Sequence, residues 1–176
     1  MQKIAVFAGS FDPFTVGHLD IVRRASSLFD ELWVLLAVNA SKKYLFDETA
    51  RIEMVRAAVA SIPNVKVDCY DGLTVDFMKR VGAKFLVRGI RGAADVDYEQ
   101  TVAWNNRLLY PECETLFLSS VPEHLMVSSS VVRELLKSGI ARDEEGLGLL
   151  AKYVPESIVP MIVKKYDTNA FLDLIL

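Results

Sequence analysis

Short apolar runs alternate along this chain with stretches in which apolar residues return every three to four positions. The first run, Lys3–Ala8, stops at Gly9 and predicts a buried strand. From Gly17 onward, Ile21, Val22, Ala25, Leu28 and Phe29 share one face of a helix. Leu32–Val38 predicts a second buried strand, and Asp47 or Thr49 can cap a helix reaching about Ser61. Val65–Tyr70 predicts a third strand, Thr74–Val81 a short helix closed by Gly82, and Phe85–Val87 a fourth strand. A long helix is expected from about Ala94 to Tyr110, stopped by Pro111, before a fifth strand at Thr115–Ser119. Ser128 then has the position of an N-cap for a helix ending before Gly139, and two more helices are expected near Glu144–Tyr153 and Glu156–Tyr166.

Strands and helices in this order imply right-handed βαβ crossovers. The predicted fold is therefore a single α/β domain of Rossmann-like type, with a five-stranded parallel sheet flanked by helices on both faces. No repeat, linker or charge block divides the sequence. The expected limits are a domain over residues 1–166 and an apolar tail over 167–176, which can pack on the body or meet another subunit.

In such a sheet, ligands bind beyond the carboxyl ends of the strands. The polar residues gather there by order alone. Gly9–His18 follows the first strand, Asn39–Lys43 the second, Asp71–Thr74 the third, Arg88–Arg91 the fourth and Ser119–Ser130 the fifth.

Composition narrows the classes. Of 176 residues, 52% are hydrophobic, enough for a sizeable core and too many for a disordered chain. The longest apolar runs, Trp33–Val38 and Ile158–Val163, fall far short of the ~18 residues that span a bilayer. Lys3 is followed at once by strand-like sequence, so no secretory signal is expected. Cys69 and Cys113 lack C-x-x-C spacing, which argues against a disulfide framework or a cysteine-ligated metal and for a reducing cytoplasm. Twenty Lys and Arg against 23 Asp and Glu give a net charge of −3. A protein that coats nucleic acid carries a basic excess. A few placed cations and backbone amides suit a small phosphorylated ligand better.

Each candidate has two readings. His18 opens a helix whose unpaired N–H groups favour phosphate, but a histidine there can equally cap or pack. Lys42 and Lys43 can be phosphate ligands or a solvated pair. Arg88 and Arg91 offer guanidinium forks suited to phosphate, whereas Asp95, Asp97 or Glu99 could absorb Arg88 in an ion pair. Ser128, Ser129 and Ser130 can cap a helix or donate to phosphate. Trp33 and Trp104 read as packing, Glu134 and Lys137 as an exposed helix face, and His124 has no partners that would make a triad.

Read together, three segments resemble the nucleotidylyltransferase superfamily: Gly9-Ser-Phe-Asp-Pro13, Thr15-Val-Gly-His18 and Ser128-Ser-Ser-Val-Val-Arg133. Thr15, Ser41-Lys-Lys43, Val87-Arg-Gly-Ile-Arg91 and Asp97-Tyr-Glu-Gln100 are similar to the bacterial phosphopantetheine adenylyltransferase branch. The likeness runs from residue 3 to about residue 166. Ser10 stands where many relatives carry threonine, His124 where an aromatic ring is common, and the tail has no counterpart.

The resemblance implies that ATP and 4′-phosphopantetheine give dephospho-coenzyme A and pyrophosphate, a step of coenzyme A synthesis. It assigns His18 to the α-phosphate, and Ser10, Lys42 and Arg88 to the acceptor's phosphate. Leu73 and Thr74 would line the pantetheine arm. Ser10, Phe11, His18, Gly89, Ile90, Arg91 and Glu99, with His124, Leu125, Met126, Val127, Ser128, Ser129 and Ser130, would surround ATP. It also implies Mg²⁺ on the triphosphate, no dedicated protein metal ligands, no nucleic-acid or membrane partner, and a homohexamer. The alternatives are a related transferase acting on nicotinamide mononucleotide or glycerol phosphate, and a non-catalytic nucleotide sensor.

Overall fold

The chain, studied as a computed structural model, is described over residues 2–38 and 41–172, without the side chains of Arg142 and residues 167–172. Its sheet contains β1 (Ile4–Gly9), β2 (Glu31–Ala37), β3 (Val65–Tyr70), β4 (Phe85–Ile90) and β5 (Glu114–Ser119). All pair in parallel, in the order β3-β2-β1-β4-β5. The helices are α1 (Val16–Ser26), α2 (Glu48–Val59), α3 (Thr74–Val81), α4 (Ala93–Leu109), α5 (Ser129–Lys137), α6 (Glu144–Leu150) and α7 (Val159–Leu172).

Strand alternation divides the core. Ala5 and Phe7 of β1 point into one cluster with Leu32, Val34 and Leu36 of β2 and residues of α1, α2, α5 and α7. Val6 and Ala8 point into the other, against Leu35, Val75, Phe77 and Met78. Both faces are covered, as the order of elements implied. Helix α4 is the exception to amphipathic burial: Glu99 is its one buried residue, while Tyr98, Trp104 and Leu108 are exposed.

The sequence-predicted boundaries shift in one place that matters. The fourth strand was expected to end at Val87, but β4 continues to Ile90, pairing Arg88, Gly89 and Ile90 with Phe117, Leu118 and Ser119 of β5. Arg88 thus belongs to the sheet and not to the loop beyond it. Gly89 is no obstacle within the strand, and it makes room for α1, since a Cβ there would lie 3.2 Å from Ile21 Cγ1. Helix α7 runs through the expected domain limit at residue 166. Of the expected features, Asn39 and Ala40 of the second loop, the side chains of the tail and all of residues 173–176 lie outside the described residues.

The strand order reverses between β1 and β4, the crevice where an open α/β sheet takes its ligands. The two carboxyl ends meet directly there, with Arg88 Nη1 donating to the Ala8 carbonyl at 2.7 Å.

Candidate active site

The loop leaving β1 turns sharply. Phe11 adopts a left-handed backbone at φ 48°, an uncommon conformation for a bulky residue. Its ring lies back over Gly9, where a Cβ would come within 2.7 Å of Phe11 Cε1. Two buried polar side chains secure the turn. Arg51 donates to the Ser10 carbonyl at 2.8 Å and to that of Phe46 at 3.1 Å. The carboxylate of Asp12 accepts from the amides of Leu45 and Phe46 at 2.9 and 3.0 Å. The loops after β1 and β2 are therefore one fastened unit.

Helix α1 begins with a capping box in which an imidazole replaces the usual carboxylate. Thr15 Oγ1 accepts from the His18 amide at 3.3 Å, and His18 Nδ1 accepts from the Thr15 amide at 3.0 Å. An N–H aimed at Nδ1 makes that nitrogen the acceptor and assigns the neutral ring's proton to Nε2. Phe11 meets the ring edge-on at 5.1 Å, with Phe14 at 5.3 Å and Phe7 at 6.2 Å. Burial among these rings, followed by the positive charges of Arg91 and Arg88, lowers the His18 pKa to about 4. The imidazole is neutral at pH 7.

Two cavities flank this ring, each of about 340 Å³. The first extends toward β4 and the start of α5, reaching Gly89, Arg91, His124 and Val127–Ser130. The second lies against the β1 and β2 loops and includes Ser10, Lys42, Tyr44 and Arg133. Phe11, His18 and Ser129 line both. Ser129 Oγ donates to the Pro13 carbonyl at 2.8 Å, which ties α5 to the first loop. Ser128 is the N-cap of α5, accepting from the Val131 amide at 3.2 Å.

Most of the sequence-predicted residues meet here. His124, in a short 3₁₀ turn at Pro122–His124, stands across from Gly17, whose added Cβ would lie 3.7 Å from the His124 Cβ. Five expected residues line neither cavity: Ile90, Leu73, Thr74, Leu125 and Met126. Met126 is 83% exposed and Leu73 55%. The expected acceptor-phosphate trio is split, with Ser10 and Lys42 in the second cavity and Arg88 in the first.

Arg88 also fulfils the alternative reading. Its Nε donates to Glu99 at 2.7 Å and its Nη2 to the other carboxylate oxygen, a bidentate pair with Glu99 only 7% exposed. Glu99 lines the first cavity with its charge already engaged. Asp95 holds Arg91 through a single oxygen, Oδ2, which accepts from Nε at 3.2 Å and from the backbone amide at 3.0 Å. Each guanidinium is thereby aimed before any ligand arrives.

Sequence reasoning passed over Tyr44, Asp12 and the structural roles of Thr15 and Arg133, while Asp95, one of the ion-pair candidates for Arg88, pairs with Arg91 instead. The spacing Thr15-x-x-His18 was the available signal for the capping box. Arg133 Nη1 donates to the Asp12 carbonyl at 2.7 Å across most of the chain, a contact with no local signature.

The sheet order, the crevice and its cation-lined cavities define a nucleotidyltransferase-type α/β domain, and residues 6–135 match the cytidylyltransferase-like family model. Two solved structures share the fold at low identity. A candidate nicotinate-nucleotide adenylyltransferase from Vibrio parahaemolyticus has a TM-score of 0.69 at 18% identity, covering 93% of this chain and 99% of that one. The nicotinic acid mononucleotide adenylyltransferase of Plasmodium falciparum, complexed with NaAD, has a TM-score of 0.66 at 16% identity, covering 95% and 98%. Sequence likeness is far greater to the phosphopantetheine adenylyltransferases of Lachnoclostridium phytofermentans, 43% identical over 94% of this chain and 97% of that protein, and Leptospira biflexa, 40% identical over 95% and 99%. The chain belongs to the phosphopantetheine adenylyltransferase family.

Proposed function

We propose that the chain transfers AMP from ATP to 4′-phosphopantetheine, giving dephospho-coenzyme A and pyrophosphate. The observation that carries this reading is the position of His18, whose neutral ring forms part of the wall of both cavities. A group transfer between two anionic substrates needs such a shared boundary. The nucleotide occupies the cavity of Gly89, Arg91, His124 and Val127–Ser130, and the acceptor's phosphate occupies that of Ser10 and Lys42.

An oxygen of the acceptor's phosphate attacks the α-phosphorus of ATP. The new O–P bond forms as the bond from the α-phosphorus to the bridging oxygen breaks, and pyrophosphate leaves with that electron pair. The nucleophile is already an anion, so no base is required. Catalysis then consists of in-line positioning and stabilisation of charge. His18 Nε2–H donates to the α-phosphate as negative charge accumulates there. Arg88 and Arg91, held by Glu99 and Asp95, present positive charge from the nucleotide side.

No cluster of three or more His, Cys, Asp or Glu among the described residues is arranged to hold a metal ion. Mg²⁺ is proposed to be carried by triphosphate oxygens and water, the way this ion is usually held beside phosphates. When bound, the ion offsets triphosphate charge, while the chain's own residues hold the phosphates. No helix among the described residues is long and apolar enough to cross a membrane. A cytoplasmic location and a homohexamer complete the proposal, the exposed apolar residues of α4 supporting self-association.

The test is pyrophosphate release with ATP and, in turn, 4′-phosphopantetheine, nicotinate or nicotinamide mononucleotide, and glycerol phosphate. Release with formation of dephospho-coenzyme A is expected from the first alone. Release with another acceptor instead would reassign the substrate, and tight ATP binding without turnover on any acceptor would favour a sensor.

A further inference from the structure

Arg51, on α2, is a charged side chain that the transfer leaves unused, and it is only 2% exposed. It lines neither cavity. Its guanidinium is engaged by two backbone carbonyls, Nη1 donating to Ser10 at 2.8 Å and Nε to Phe46 at 3.1 Å, and it lies 3.8 Å from the centroid of the Tyr44 ring. Burying a cation is costly, so the carbonyls that offset the cost hold the fork to a narrow geometry. The Ser10 carbonyl belongs to the peptide that ends at the Phe11 nitrogen, and its direction therefore sets the backbone entering Phe11. Among the described residues, Phe11 is the one non-glycine residue with a positive φ, at 48°. A bulky residue keeps that conformation only where its surroundings over-determine it. The rings of Phe7, Phe14 and His18 hold its side chain at 5.6, 5.2 and 5.1 Å, and Arg51 holds its peptide.

We infer that Arg51 is a positioning residue for the transfer: by fixing the Ser10–Phe11 peptide it keeps the Phe11 ring against His18, and so sets where the imidazole stands between the two cavities. The inference rests on the proposed function and adds to it a residue outside both cavities. The effect passes through Phe11, which lines both and meets the imidazole at 82°.

Arg51→Lys keeps the charge but replaces the planar fork with a point donor, which cannot serve both carbonyls in the same way. Arg51→Met keeps similar length and removes both bonds. Each is made alone and with Phe11→Ala, and turnover of ATP and 4′-phosphopantetheine is measured with thermal unfolding of every protein. Alone, each is expected to lower kcat about tenfold with both KM values within threefold, the mark of a displaced donor and not of lost binding. In the Phe11→Ala background the same changes should lower kcat less than twofold further, because the route through the ring is already gone. An unchanged kcat, or an equal fall in both backgrounds, marks a purely structural role and would overturn the inference. If Arg51→Met fails to fold, the Arg51→Lys comparison decides by itself.

A second readout needs no substrate. The chain has two histidines, His18 and His124, which imidazole proton resonances distinguish. Arg91 and Arg88, the charges that act on His18, stay paired with Asp95 and Glu99 in every variant. Wild-type His18 should remain neutral from pH 8 down to 5, as its burial requires. In Arg51→Lys its titration should move up into that range, while His124 keeps its wild-type curve. Identical His18 curves in the two proteins would overturn the inference. Absence of wild-type turnover with this acceptor would instead overturn the proposed function, and the histidine spectra would still test the link from Arg51.

Discussion

The backbone N–H of Thr15 donates to Nδ1 of His18 at 3.0 Å, so the cap of one helix also sets the tautomer of the imidazole that lies between the two cavities. A carboxylate at that position would cap equally well and would face the phosphates with the wrong charge. An imidazole satisfies the helix end through one nitrogen and keeps a donor on the other.

That arrangement makes stability depend on pH in a defined window. The His18 pKa is about 4 in the folded chain against an ordinary value of 6.5, so between those values the unfolded chain binds more protons. Stability is expected to fall as pH drops from 6.5 toward 4, and His18 should contribute no slope above about pH 7. Urea unfolding of wild type and His18→Gln across pH 4.5–8 checks this. The difference between them should change below pH 6.5, and parallel profiles would contradict the assigned burial.

The Arg88–Glu99 pair is partly covered, with the side chain of Arg88 25% and that of Glu99 9% exposed. Glu99→Ala leaves the guanidinium without its carboxylate. A loss of about 2 kcal/mol is expected, less than for a fully buried pair because Arg88 still reaches water. The kcat/KM should fall at least tenfold, with partial recovery in Glu99→Gln, which restores one hydrogen-bond acceptor. Urea unfolding and steady-state kinetics on both variants measure this, and full activity in Glu99→Ala would show that Arg88 needs no such support.

Asp12, 4% exposed, joins the first loop to the lysine loop through the amides of Leu45 and Phe46. Asp12→Ala is expected to cost about 2–3 kcal/mol, since two amide donors lose a charged acceptor. It should also raise the acceptor KM more than the ATP KM, because the loop that carries Lys42 loses its anchor to the first loop. Chemical denaturation and a kcat-against-KM comparison separate the two effects.

The order of elements was legible because it depends on local period: apolar runs stopped by glycine, a Ser128 cap, a Gly82 closure. Three features escaped the same reading. Arg88 was assigned to a loop because its polar side chain ended an apolar run, yet β5 supplies ladder partners as far as Ile90. The competing readings of Arg88, phosphate ligand or ion pair, were both left open by the sequence. The structure shows the ion pair, with the guanidinium still at the cavity wall. Tyr44 and Asp12 matter through contacts with Arg51, Leu45 and Phe46 that exist only after the loops dock, and no pattern along the chain announces them.

The transfer mechanism depends most directly on His18, and His18→Ala tests it by separating kcat from ATP affinity. With saturating 4′-phosphopantetheine, kcat is expected to fall by about 10²–10³, the loss typical of one donor to transition-state charge, while the ATP Kd changes only a few-fold. A kcat within a few-fold of wild type would show that the ring only caps its helix, and the proposed mechanism would be wrong.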